Sequence, residues 1–194
     1  MRKHDGLSLV ELIVFIVVVS VAVAGVLAAL NLSTRASVDP IVQKQALAIA
    51  EAVMEEIQLQ AFTYCDPDDT NAGSALSSAG CTGGAGGAND EARLPLGPEA
   101  GEDRTSTVTP FDNVSDYNGL ALNPVTFITG AAATGIAGYS ATVTVSRQGV
   151  AAIAGSPAIS ADEALLITVT VDGPASTSVT LHGYRMRYAP NALP

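Results

Sequence analysis

Basic residues are scarce in this chain. Nine Lys and Arg stand against nineteen Asp and Glu, a formal net charge of −10, which removes the cationic face that binding to nucleic-acid phosphates requires. Histidine is nearly absent: His4 lies close to the start, and His182 sits beside Gly183 in a strand-like stretch, where it reads as a surface residue. With no Ser-His-Asp set, no phosphate-cradling glycine loop and no catalytic metal-ligand cluster, an enzymatic function is not expected. Tryptophan is missing and other aromatics are few, a composition common to secreted surface proteins that by itself identifies none. The two cysteines have no histidines near them and make a poor zinc site.

What the chain does have is one long apolar run. From Leu12 to Leu32 every residue is apolar or small except Ser20 and Asn31. As a helix rising ~1.5 Å per residue, such a run matches the thickness of a bilayer core. Arg2 and Lys3 precede it and only Arg35 closely follows, so the positive-inside rule favours a cytoplasmic N-terminus and an exported C-terminal body. Glu11 stands out at the start of this run. A carboxylate well inside a span costs roughly 2.5–3.5 kcal/mol, less near its end, and signals a specific partner.

The junction Gly6-Leu7-Ser8-Leu9-Val10-Glu11-Leu12 resembles the type III signal of type IV prepilins and type II secretion pseudopilins: a short basic leader, Gly, a hydrophobic residue, then Ser/Thr-Leu-Val/Ile-Glu-Leu. The resemblance implies that a membrane-embedded prepilin peptidase cuts between Gly6 and Leu7 and methylates Leu7, a position where most members carry Phe. Glycine before the scissile bond also suits a backbone that must enter a protease site. Cleavage would create an amine at the positive end of a helix dipole, with Glu11 one turn away. In the family the equivalent Glu pairs with the amine of a neighbouring subunit during assembly, and a contact of that head-to-tail kind generates a helical filament. Two other readings compete. One is an ordinary signal peptide cut after Ala22-Val23-Ala24, which Glu11 and the run beyond Ala24 oppose. The other is a plain membrane anchor, which leaves the whole junction match as coincidence.

Removing residues 1–6 takes away Arg2, Lys3 and Asp5, leaving seven basic and eighteen acidic side chains and a net charge of −11. Residues 7–34 then form a hydrophobic helix for membrane and filament core. Val38-Asp39-Pro40 reads as a helix start, with Asp39 as N-cap and Pro40 at the first helical position. From 35 to 61, Val42, Ala46, Ile49 or Ala50, Val53 and Ile57 recur at helical spacing and form a stripe for a sheet. Pro40 does not forbid continuation, so both segments can form one rod from about Ser8 to Gln60. Major pilins of the resembled family commonly place a Pro within the membrane half, and here none occurs before Pro40, so the resemblance implies a minor pilin or pseudopilin.

Residues 62–104 form a disulfide loop region, with Gly, Ala, Ser and Asp in abundance from Tyr64 to about Gly101 and no sustained period. Fifteen residues separate Cys65 from Cys81. In an exported, oxidising location a bridge is expected there, worth ~3 kcal/mol on the chain-entropy model. Asp66, Asp68, Asp69 and Asn71 gather hard oxygen donors that could suit calcium, although Asp and Asn are also turn residues and neither the Gly nor the distal Glu of an EF-hand is present. Asp112, Asn113 and Asp116 make a weaker second candidate.

Residues 105–194 carry the strands. Tyr139–Ser146, Ala164–Val171 and Thr177–Tyr188 alternate β-branched with polar residues, an extra strand is expected near Leu122–Thr129, and Gly149–Pro157 and Asp172-Gly173-Pro174 are connections. Short links imply antiparallel pairing. The expectation is an α+β fold, a long N-terminal helix on a three- or four-stranded antiparallel sheet, which is the layout of the pilin fold. Residues 36–69 (ASVDPIVQKQALAIAEAVMEEIQLQAFTYCDPDD) further resemble minor prepilins of mannose-sensitive haemagglutinin pili, notably the D-type. The partners implied are prepilin peptidase, other pilins, inner-membrane lipid and the inner-membrane assembly platform. The rival reading is a membrane-anchored adhesive or ligand-binding module that uses the Cys65 to Cys81 loop.

Overall fold

The computed structural model describes residues 9–152 and 157–193. The expected leader 1–6 and the Gly6–Leu7 junction lie outside the described residues, as do residues 153–156 of the expected connection. The chain divides into two units, Met1–Ile41 and Val42–Pro194.

Helix α1 runs from Leu9 to Leu59 without interruption. The Asp39-Pro40 signal does not start a helix, because Pro40 lies inside α1 and the longer of the two sequence readings holds. Proline at this point removes one bond, to the carbonyl four residues earlier. Helix-forming sequence on both sides carries the backbone through that loss. In the first unit, Leu9–Leu30 is long and apolar enough to cross a membrane, and none of it is buried within the chain. Ser20, a polar interruption of this segment, satisfies itself by donating to the Ile16 carbonyl at 2.7 Å.

In the second unit a four-stranded antiparallel sheet has the order β1 (Ala121–Leu122), β2 (Ser140–Arg147), β3 (Ala164–Gly173) and β4 (Thr177–Met186). Alternation decides which face is buried. Ala141, Val143 and Val145 of β2 and Leu165, Ile167, Val169 and Val171 of β3 point inward, while Thr142, Thr144 and Ser146 point out. The C-terminal part of α1 covers the inner face with Val42, Ala46, Ile49, Ala50, Val53, Met54 and Ile57, the expected stripe with Met54 added. On the outer face Thr170 meets Thr180 and Thr168 meets the His182 ring, which confirms His182 as an exposed strand residue.

Two boundaries differ from the sequence reading. The extra strand shrinks to Ala121–Leu122, because Pro124 has no N–H to extend the ladder. Phe127 N–H instead bonds the Ala131 carbonyl and closes a local turn. The β3–β4 ladder extends through Gly173–Thr177, so the reversal is made by Pro174–Ser176 instead of Asp172-Gly173-Pro174, with Ala175 and Ser176 at φ 55° and 59°.

Gly173 shows how tightly this end is packed. A Cβ there would lie 2.5 Å from Cε1 of Tyr139, whose ring is buried and whose hydroxyl is 2.8 Å from Oε1 of Gln45 on α1. Gly173→Ala should therefore destabilise the fold by about 1–3 kcal/mol, the ordinary penalty of overpacking. Thermal unfolding of the variant against the parent checks this.

Candidate functional site

Two features outside the core carry chemistry. The first is Glu11, the one charged residue between Leu9 and Leu30. It lies in the first described turn of α1, exposed and surrounded by exposed Leu9, Val10, Leu12 and Phe15. Among the described residues nothing pairs with it. Helix geometry supplies no counter-charge within this segment, so any partner is external to it.

The second feature is assembled by the loops. Cys65 and Cys81 form the expected disulfide, with Cα atoms 5.3 Å apart, and with Ala72 and Ala75 they make a small satellite core. Next to the bridge the chain pairs with a distant segment: Asp66 N–H donates to the Asn89 carbonyl and Glu91 N–H to the Tyr64 carbonyl. A third segment enters where Val114 N–H donates to the Ala61 carbonyl. There Asn113 caps the 3-10 turn Val114–Tyr117 in a capping box with Asp116, and its side-chain amide donates to Thr63 Oγ1 at 2.9 Å. The backbone pairs thus bring residues 64–68, 89–102 and 112–116 together.

Seven carboxylates meet at this junction. Asp66, Asp68 and Asp112 form one triad whose donor oxygens lie within 4.8 Å of one another, and Glu91, Glu99 and Asp116 form a second. Asp66 with Glu99 and Glu102, and Glu102 with Asp112 and Asp116, link the two at the same spacing. Glu91 and Asp116 are buried, with exposures of 3% and 1%. Burial first, then the neighbouring carboxylates, pushes Glu91 well above the ordinary range. Burial, with the charges of Glu102 and Glu99 beside it, raises Asp116 to about 8. Glu99 rises to about 8 by burial and the charge of Glu102, and Asp112 to about 7 by burial and the charge of Asp66.

Among the described residues no cation pairs with the cluster. Neither ion pair among the described residues, Arg104–Glu56 or Arg147–Asp162, includes a member of the cluster. The Arg187 guanidinium lies between the rings of Phe62 and Tyr64, 4.1 and 4.2 Å from their centroids. At neutral pH these carboxylates must hold protons or face a positive charge that the described residues do not supply.

The sequence candidates divide accordingly. Asp66 and Asp68 belong to the cluster. Asp69 does not: it is buried, its oxygens accept from Asn71 N–H, Thr82 N–H and Thr82 Oγ1, and those bonds lower its pKa. Asn71 is exposed and serves this turn through its backbone. Of the weaker candidate, Asp112 and Asp116 join the cluster while Asn113 is a cap. Glu91, Glu99 and Glu102 were not singled out in the sequence. Glu91 follows Asp90, and Glu99 and Glu102 lie in the loop 98–104 beside Asp103, so nothing local distinguishes them from ordinary loop acids.

Compared with known proteins, the chain matches no family model, no curated protein and no solved structure.

Proposed function

We propose that the protein is a minor pilin or pseudopilin, a structural subunit of a type IV pilus-like filament. One observation carries the reading: a single carboxylate, Glu11, on an exposed helical segment that is otherwise apolar from Leu9 to Leu30. The Gly6–Leu12 junction match and the continuity of this segment with a sheet-packed helix support it. In this reading prepilin peptidase cuts after Gly6 and methylates Leu7. The subunit waits in the inner membrane with its N-terminus cytoplasmic. A motor-driven assembly platform then extracts it into a bundle of like helices. An apolar helix surface that is harmless in lipid becomes the packing surface of that bundle, and the buried Glu11 needs the Leu7 amine of a neighbour. The role is mechanical.

Mass spectrometry of the exported protein tests the processing step. The expected result is an N-methylated peptide beginning at Leu7. A peptide beginning at Gly25 would instead establish signal-peptide cleavage and overturn the filament reading.

A second reading rests on a different observation. An open groove of about 620 Å³ runs beside α1, lined in part by Ala48, Ala52, Leu59, Val125, Phe127 and Ile128, with Phe127 and Ile128 at least half exposed. A membrane-anchored binding module would use such an apolar groove. Fractionation separates the readings: a structural subunit leaves with sheared filaments, whereas a tethered binder stays with the membrane.

A further inference from the structure

The acidic junction has more than charge density to recommend it as a site. Four carboxylate oxygens are buried without any hydrogen-bond partner: Glu91 Oε1, Glu99 Oε2, Asp112 Oδ1 and Asp116 Oδ1. Only two other side-chain atoms among the described residues share that condition, and both belong to arginines. Glu91 and Asp116 decide the matter, since each residue is more than nine-tenths buried and belongs to the same triad. Their other oxygens are firmly held. Glu91 Oε2 accepts from Ser115 Oγ, and Asp116 Oδ2 accepts from the N–H groups of Asn113 at 2.7 Å and Asp112 at 3.1 Å. The protein therefore fixes one oxygen of each carboxylate and presents the other, bare, to its neighbours. A buried acceptor left without a partner is costly, more so when charged, and several in one place are satisfied either by protons on these carboxylates or by a cation bound among them.

We propose that this junction is a calcium-binding centre, with Glu91, Glu99 and Asp116 as its inner ligands, Asp66, Glu102 and Asp112 around them, and Asp68 as its most exposed member. The donor set is all oxygen, without histidine or cysteine, which selects hard cations over zinc or copper. Oxygens on opposite sides of a calcium ion stand about 4.6–5.2 Å apart, twice its usual bond length, so groups confined within 4.8 Å fit one coordination sphere. Calcium accepts six to eight oxygens in irregular geometry, whereas magnesium demands a small octahedron and keeps its waters. Linked triads of carboxylate oxygens, drawn from three loop segments, suit the former. The ion would tie 64–68, 89–102 and 112–116 together beside the disulfide. This inference stands on the loop geometry alone and does not depend on the filament reading.

The test uses the full chain in detergent, stripped with EGTA and titrated with calcium chloride by calorimetry, with thermal unfolding as a second readout. Saturation by about 1 mM calcium is expected, the range of extracellular modules, with a higher melting temperature in calcium than in EGTA or in equal magnesium. The double variant Glu91→Gln with Asp116→Asn keeps the shape and the held hydrogen bonds while removing two charges. It should bind calcium about tenfold more weakly or not at all, and its melting temperature in EGTA should equal or exceed that of the parent, because repulsion is relieved. Asp68→Asn, at an exposed position where folding is not at stake, should weaken binding by a smaller factor. Absence of calorimetric binding and identical melting in calcium and EGTA would show that the carboxylates are simply protonated, and the proposal would fall. Undiminished calcium binding by the double variant would overturn it equally.

Discussion

Replacing Glu11 by leucine should leave the chain in the membrane and cleaved after Gly6, yet remove it from filaments. The substitution extends the apolar run, so insertion becomes easier and not harder. Cleavage depends on Gly6 and the residues at the cut, which are unchanged. What disappears is the partner of the Leu7 amine. In the filament reading that amine is drawn into a bundle of apolar helices, and a buried charge that loses its partner costs about 3–5 kcal/mol. Each misfit subunit would then be disfavoured roughly 100-fold or more in assembly, since 1.4 kcal/mol is a factor of ten. Immunoblots of sheared filaments against the membrane fraction measure the ratio. Wild-type incorporation of Glu11→Leu would remove the pairing role and with it the reading of the junction.

The parts of the fold that were legible in the sequence are those fixed by local periodicity. Val42, Ala46, Ile49, Val53 and Ile57 announce a buried stripe because helix geometry alone places them on one side, and all five are buried against the sheet. The β2 and β3 residues announce themselves by alternation. Where a single residue type serves two roles, the sequence misleads. Proline is a good first helical residue and a tolerable interior one, and nothing near Asp39 distinguishes the cases; the long apolar segment before it decides for continuation. Pro124 cuts the first strand short, while the β-branched Val125 and Thr126 beyond it read as strand in the sequence.

The candidate site was legible only at its edges. Asp66, Asp68 and Asp69 attract notice because they are close in sequence, but closeness in sequence favours local turns. Asp66 Oδ1 accepts from Asp68 N–H and Asp69 Oδ1 from Asn71 N–H, each two residues away. The carboxylates that matter most, Glu91 and Asp116, are 25 residues apart and meet only through the backbone pairings at Tyr64 and Ala61. No periodicity encodes such a junction. Its one sequence trace is an excess of acid in a loop region poor in bases, a trace that a solvated loop would leave as well.

Arg104 is the cation that pairs with Glu56 of α1. Its side chain is 6% exposed and donates to both oxygens of Glu56 on α1 at 2.7 Å, while its remaining nitrogen donates to the Phe127 carbonyl at 3.2 Å. Tyr117, fully buried, adds its hydroxyl to Glu56 at 2.9 Å and receives Gln60 at 3.2 Å. Helix, loop and 3-10 turn are joined through one carboxylate. Arg104→Met keeps the apolar stem but leaves Glu56 charged, mostly buried and with the Tyr117 hydroxyl alone. The expected loss is about 3 kcal/mol, the lower end for a broken buried pair because the Glu56 side chain retains 18% exposure. Denaturant unfolding should show it as a lower midpoint at unchanged slope. The double variant Arg104→Met with Glu56→Leu removes both charges and should recover most of the loss, since replacing a buried pair by apolar groups is often neutral. If the double variant is as unstable as the sum of the single ones, the contribution lies in separate packing and not in the pair.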